Sequence, residues 1–176
     1  MPVHSIYDPR LTFYGVKTMP MRIGDAMPAL DGATAWFNGS HEETIKDILG
    51  KPTLVHFWAV SCGICKEKIP QLKDLIAKYS PQGMQTVAVH MPRYEADTDL
   101  DMVNETITSH DITEPTAVDN GHTLKDAFQN EQGWVPVYYL FDAEGKLKTR
   151  AAGEFGISVL TTALEKMFPA GESAAA

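Results

Sequence analysis

Thr53-Leu54-Val55-His56-Phe57-Trp58-Ala59-Val60-Ser61-Cys62-Gly63-Ile64-Cys65-Lys66 is the stretch on which the fold turns. Its first six residues are rich in β-branched and aromatic types and too few for a stable helix, so they predict a buried strand. Two cysteines follow directly, with two residues between them. Beyond them Ile69, Leu72, Leu75 and Ile76 fall on a 3.6-residue stripe, which predicts an amphipathic helix over 66–79. Pro70 lies inside that helix and predicts a kink, because it removes one backbone donor.

A Cys-x-x-Cys at a strand–helix junction has a physical rationale. The first N–H groups of a helix lack internal partners, and the positive end of the helix dipole favours an anion. A thiolate placed there is stabilised, so its pKa falls below the free value. Cys62 is then expected at the first and more exposed position, as nucleophile. Cys65 is expected one turn further in, placed to displace whatever Cys62 has captured. These are the chain's two cysteines. A bridge closing so small a ring stabilises a fold by only about 2 kcal/mol, so a purely structural disulfide is a poor reading. The other reading of the pair is half of a zinc site, completed by His56, His90 or His110; no second cysteine pair exists to close one.

Outward from the motif, Ala35–Phe37 predicts a short strand and Asn38-Gly39 a turn. Ser40 three residues before Glu43 has capping-box spacing, so a helix is expected from Glu42 to Leu49, ended by Gly50. A turn is expected at Asp31-Gly32. Further strands are expected over 84–91 and 115–118, and helices over 99–110 and 122–128. Val137–Phe141 and Lys146–Ala152, joined through Gly145, predict a hairpin, and Ile157–Phe168 a closing helix. Alternating strands and helices followed by a hairpin and helix imply an α/β protein, its sheet covered on both faces.

Composition narrows the function classes. At 176 residues, with 44% hydrophobic and 22% charged residues, the chain has the profile of an ordinary globular domain. A formal charge of −8 gives no basic face, so nucleic acid is not an expected partner. The longest apolar run, Val135 to Phe141, is far short of a membrane span, so no membrane role is expected. Residues 1–20 carry His4, Asp8, Pro9, Arg10 and Lys17 without an apolar run. That stretch reads as a poorly ordered extension without an export signal, and the cytoplasm is the expected compartment.

Phe57 to Lys66, with Pro70 five residues after the second cysteine, resembles the thioredoxin superfamily. Val135-Pro136 matches the position where that family places a cis-proline opposite its cysteines, and Gly145 and Gly153 match its terminal hairpin. The additional strand–helix material between Met91 and Asp119 is similar to the ResA/TlpA-like branch. Lys51–Trp58 and His90-Met91-Pro92-Arg93 resemble a small cytoplasmic member of that branch. The resemblance implies a thioredoxin-like domain over 21–168: a mixed central sheet flanked by helices on both faces, with an inserted strand–helix element. Residues 1–20 then form an extension and 169–176 a flexible tail.

The resemblance also implies roles. Cys62 and Cys65 are the catalytic pair, and their redox-active disulfide serves in place of any cofactor. Pro136 is cis against them, and the backbone of Val135 is free to pair with an extended substrate chain. Ser61, Gly63, Ile64 and Trp134 border the substrate. Ser61 replaces the tryptophan most relatives carry, which makes that surface smaller and more polar. His56 stands where thioredoxins bury an acid that moves a proton at the inner cysteine; it reads either in that role or as a satisfied core histidine. The acidic residue that ResA-type proteins place three positions after the second cysteine is Lys68 here, so that role is not carried over. The expected function is thiol–disulfide exchange with protein substrates, as a cytoplasmic reductant served by a thiol electron donor and acting as a monomer. A copper-delivery carrier is one alternative, although such relatives space their cysteines by three residues. A peroxiredoxin-like peroxidase is the other, although Ala59 stands where those proteins carry a hydroxyl residue.

Overall fold

The computed structural model describes residues 19–171. Residues 1–18 and 172–176, which hold most of the expected extension and tail, lie outside the described residues. The chain order is β1 (Ala35–Phe37), α1 (His41–Ile48), β2 (Thr53–Trp58), α2 (Gly63–Tyr79), β3 (Gln85–His90), α3 (Leu100–Ser109), β4 (Thr116–Val118), α4 (Thr123–Ala127), β5 (Val137–Phe141), β6 (Leu147–Ala152) and α5 (Gly156–Met167). Short 3-10 turns cover Ser80–Gln82 and Glu95–Thr98.

The strands form one six-stranded sheet in the order β1-β4-β3-β2-β5-β6. β2 lies parallel to β3 and antiparallel to β5, so the sheet is mixed, and all six β2 residues are buried. Alternation along the strands divides the core. Val55, Phe57, Val87, Val89, Tyr139 and Phe141 face one side, with Leu124 and Phe128 from the α4 region and Ile45 and Ile48 of α1 against them. Leu54, Tyr138 and Leu140 face the other, under Leu72 and Leu75 of α2 and Leu160 and Leu164 of α5. Toward the carboxyl end of β2 that second face continues through Trp58, Ala88 and Val118 under Cys65 and Ile69 of α2 and Val103 and Ile107 of α3. This is the thioredoxin-like architecture: a mixed sheet with helices on both faces.

Local chemistry explains the element ends. Ser40 caps α1, accepting the Glu43 N–H at 3.3 Å while donating its hydroxyl to Glu43 Oε2 at 2.8 Å. Asp99, expected as the first residue of α3, is instead its cap and accepts the Asp101 N–H at 2.9 Å. α2 begins three residues before the expected start at Lys66 and runs unbroken through Pro70. Hydrophobic spacing marks only the residues that face the core; the early start comes from a cap, and that cap is Cys62.

Candidate active site

Cys62 ends the short crossing from β2 into α2. Its N–H donates to the Ala59 carbonyl at 3.0 Å, which turns the chain sharply after Trp58. Its Sγ accepts the N–H of Cys65 at 3.1 Å, so the sulfur itself caps the helix. Cys62 and Cys65 are joined as a disulfide, with their Cα atoms 5.3 Å apart. The N–H aimed at Cys62 Sγ is the kind of donor that stabilises a thiolate once the bond is reduced.

The expectation that Cys62 is the more exposed of the two is corrected by the structure. Cys62 is 2% exposed and Cys65 4%. In the oxidised pair the Cys62 sulfur is folded back over the helix start toward Cys65. There it packs in one apolar cluster with Trp58, Ala59, Val60 and Ile69, with Val135 against them. The surface is formed instead by its neighbours: Ser61, Gly63 and Ile64 are all exposed.

The Val135–Pro136 peptide bond is cis. Pro136 is buried, and Val135 is half-buried against the cysteine cluster. Val135 precedes β5, and among the described residues its N–H and C=O make no backbone hydrogen bond. Trp134 is 51% exposed. Asn130 fixes the backbone there, donating to the Trp134 carbonyl at 2.9 Å and accepting its N–H at 3.2 Å. Of the border residues expected from the sequence, Ser61, Gly63 and Ile64 flank the cysteines along the chain and Val135 packs against their cluster, with Trp134 and Pro136 its neighbours in the chain.

His56 is buried on β2 between Leu54 and Trp58, on the face covered by α2. Its Nε2 lies 2.6 Å from Glu114 Oε1, and both side chains are almost fully enclosed. Burial alone would raise the Glu114 carboxyl, but the hydrogen bond of His56 and its charge when protonated, with the N–H groups of Glu114 and Thr113, hold it below its ordinary value. Glu114 was not legible in the sequence, because it sits 58 residues away on the approach to β4. Two further buried groups reach the Cys62 loop: His90 accepts the Val60 N–H at 3.2 Å, and Asp97 accepts the Ser61 hydroxyl at 2.6 Å.

The three histidines considered for a zinc site are separated by these roles. His56 pairs with Glu114, His90 holds Val60, and His110 lies against Ser109 and the Thr106 carbonyl. Among the described residues no three His, Cys, Asp or Glu side chains converge as a metal site. Lys68 lies 3.7 Å from Glu67.

Residues 23–150 match the AhpC/TSA family. The chain belongs to that family. It is 48% identical over 141 residues to the thiol-disulfide oxidoreductase YkuV of Bacillus subtilis, covering 80% of this chain and 92% of that protein. It is 27% identical over 151 residues to the thiol-disulfide oxidoreductase ResA of Oceanobacillus iheyensis, covering 84% of this chain and 74% of that one. A solved thioredoxin-like protein in its oxidised form superposes with a TM-score of 0.73 at 44% identity, covering 84% of this chain and 97% of that chain. The expected kinship with the ResA-like branch is therefore found. This AhpC/TSA protein is an enzyme of the thiol–disulfide oxidoreductase type, with its Cys-x-x-Cys pair oxidised at the start of α2. No described helix is long and apolar enough to cross a membrane.

Proposed function

We propose that the protein reduces disulfide bonds of protein substrates in the cytoplasm, with Cys62 as nucleophile and Cys65 as resolving thiol. The observation that carries this reading is the Cys62–Cys65 disulfide capping α2 and packed against Val135, whose backbone finds no backbone partner among the described residues. In the reduced enzyme the Cys62 thiolate attacks one substrate sulfur, the substrate S–S bond breaks, and the second substrate sulfur leaves as a thiolate. Cys65 then loses its proton and attacks Cys62 Sγ, which forms the internal disulfide and releases the first substrate thiol. Two electrons have passed from the dithiol to the substrate, and a cellular thiol donor restores the enzyme.

The substrate chain lies extended along Val135, whose free N–H and C=O pair with it as an added strand does. Exposed Ile64 and Trp134 give that chain apolar contact on either side of the sulfurs. His56 accepts the Cys65 proton as the internal disulfide forms, and Glu114 steadies the charge this places on the ring. What supports the role is position: β2 presents His56 to the helix that carries Cys65, and Glu114 supplies a buried anion at 2.6 Å. The reducing direction and the cytoplasmic setting rest on cysteine usage, since both cysteines lie in the motif and none forms a structural bridge. A peroxidase reading needs a hydroxyl residue to position peroxide, and Ala59, fully buried, offers none.

The deciding experiment is the equilibrium of the purified dithiol against a glutathione buffer. A potential near about −270 mV is the expected result for a reductant. A value near about −120 mV would make the protein an oxidant and overturn the proposal.

A further inference from the structure

The loop that carries Cys62 is held by a carboxylate that the exchange reaction does not itself consume. Ser61 Oγ donates to Asp97 Oδ2 at 2.6 Å. The same oxygen accepts the Arg93 N–H at 2.9 Å. One residue before Ser61, the Val60 N–H is held by His90. Asp97 lies in the 3-10 turn over 95–98 and is 3% exposed, whereas Arg93 and Tyr94 beside it are exposed. A single buried oxygen therefore ties the residue before the nucleophile to the segment after β3.

We propose that Asp97 is a positioning residue for Cys62: it fixes the 60–62 loop and the 91–94 segment in one register, and its charge disfavours the neighbouring thiolate. The inference rests on the reading of Cys62 as nucleophile and gives that reading its direction. A fixed negative charge bonded to the residue before the nucleophile raises the free energy of the thiolate relative to the disulfide. A destabilised dithiol gives up its electrons more readily, so the pair becomes a better reductant. The exchange itself is unchanged: the internal S–S bond forms, the substrate S–S bond breaks, and two electrons move between them.

Burial alone would raise the Asp97 carboxyl, but hydrogen bonds from Ser61 and from the N–H groups of Arg93 and Tyr94, with His90 nearby, hold it below its ordinary value. It is ionised at neutral pH. The other titratable or charged groups around the loop include His90 on β3, Arg93 just after it, Glu95 in the turn that holds Asp97, Lys66 on α2 and the His56–Glu114 pair on the α2 face of β2. All stay in place in the variants below.

Asp97→Asn keeps an oxygen for both donors and removes the charge. Ser61→Ala keeps the charge and cuts the link. The readouts are the pH profile of Cys62 alkylation by iodoacetamide, the dithiol–disulfide equilibrium with glutathione, and insulin reduction. Asp97→Asn is expected to move the alkylation midpoint down by about half a pH unit or more. The glutathione equilibrium then shifts about threefold toward the dithiol. Ser61→Ala is expected to leave the midpoint in place and slow insulin reduction severalfold. An unchanged midpoint and equilibrium in a folded Asp97→Asn protein, checked by its melting, overturns the proposal. Should that variant not fold, Ser61→Ala decides, and wild-type insulin reduction by it overturns the proposal. An inactive wild-type protein would instead overturn the reading of Cys62 on which the inference rests.

Discussion

Cys62 and Cys65 are both buried in the oxidised pair, but the proposed mechanism gives them different steps, so the two sulfurs are expected to fail in different ways. With Cys65→Ser the first exchange proceeds and the second cannot, leaving the substrate attached to Cys62. Intact-mass measurement after mixing reduced Cys65→Ser with oxidised glutathione is expected to show one stable adduct; none, or an adduct on another residue, contradicts the assignment. His90 gives a separate prediction. Burial lowers its pKa from 6.5 to about 4, although the charge of Asp97 works the other way. The unfolded chain takes up a proton as pH falls below 6.5 while the folded protein does not until about 4. The stability contributed by neutral His90 is therefore whole above that window and is lost progressively on acidification through it. Urea unfolding is expected to lose about 2 kcal/mol from this source between pH 7 and pH 5. His90→Gln is expected to lack that component; the same pH dependence in the variant refutes it. At this scale the spacing made Cys62 and Cys65 legible and the family resemblance Pro136. Glu114, Asp97 and Asn130 were not, because each acts on a residue brought to it by the fold and no local pattern marks it.

The junction of β2 and α2 was legible because two periodicities meet there, a continuous apolar strand and a 3.6-residue stripe. What spacing does not encode is the start of a helix, and α2 begins three residues earlier, where the capping group is a sulfur and not one of the usual oxygen caps. Turns were legible where glycine is required by conformation. Gly32 shows this in the turn before β1: its φ is +90°, and a Cβ there would sit 2.5 Å from Thr123 Cγ2 at the start of α4. Both backbone strain and that contact oppose any side chain. Gly32→Ala is expected to destabilise the fold by about 1 kcal/mol or more, read as a lower urea midpoint with unchanged slope. A midpoint equal to wild type contradicts this account of the turn.

Across the whole molecule, alternation of strand and helix made the class legible, the mixed character of the sheet came only through the resemblance, and the strand order was not legible at all. The sheet does what the linear sequence cannot show. It sets β2 between β3 and β5, and so brings the loop holding Asp97 and Val135-Pro136 to one helix start, and the approach to β4 holding Glu114 to His56. The claim to which the other parts answer is that a single sulfur begins every turnover. Insulin reduction with dithiothreitol as electron donor, run for the wild-type protein and for Cys62→Ser, tests it most directly. The account predicts that the variant falls to the rate of dithiothreitol alone; turnover by Cys62→Ser at the wild-type rate would contradict it.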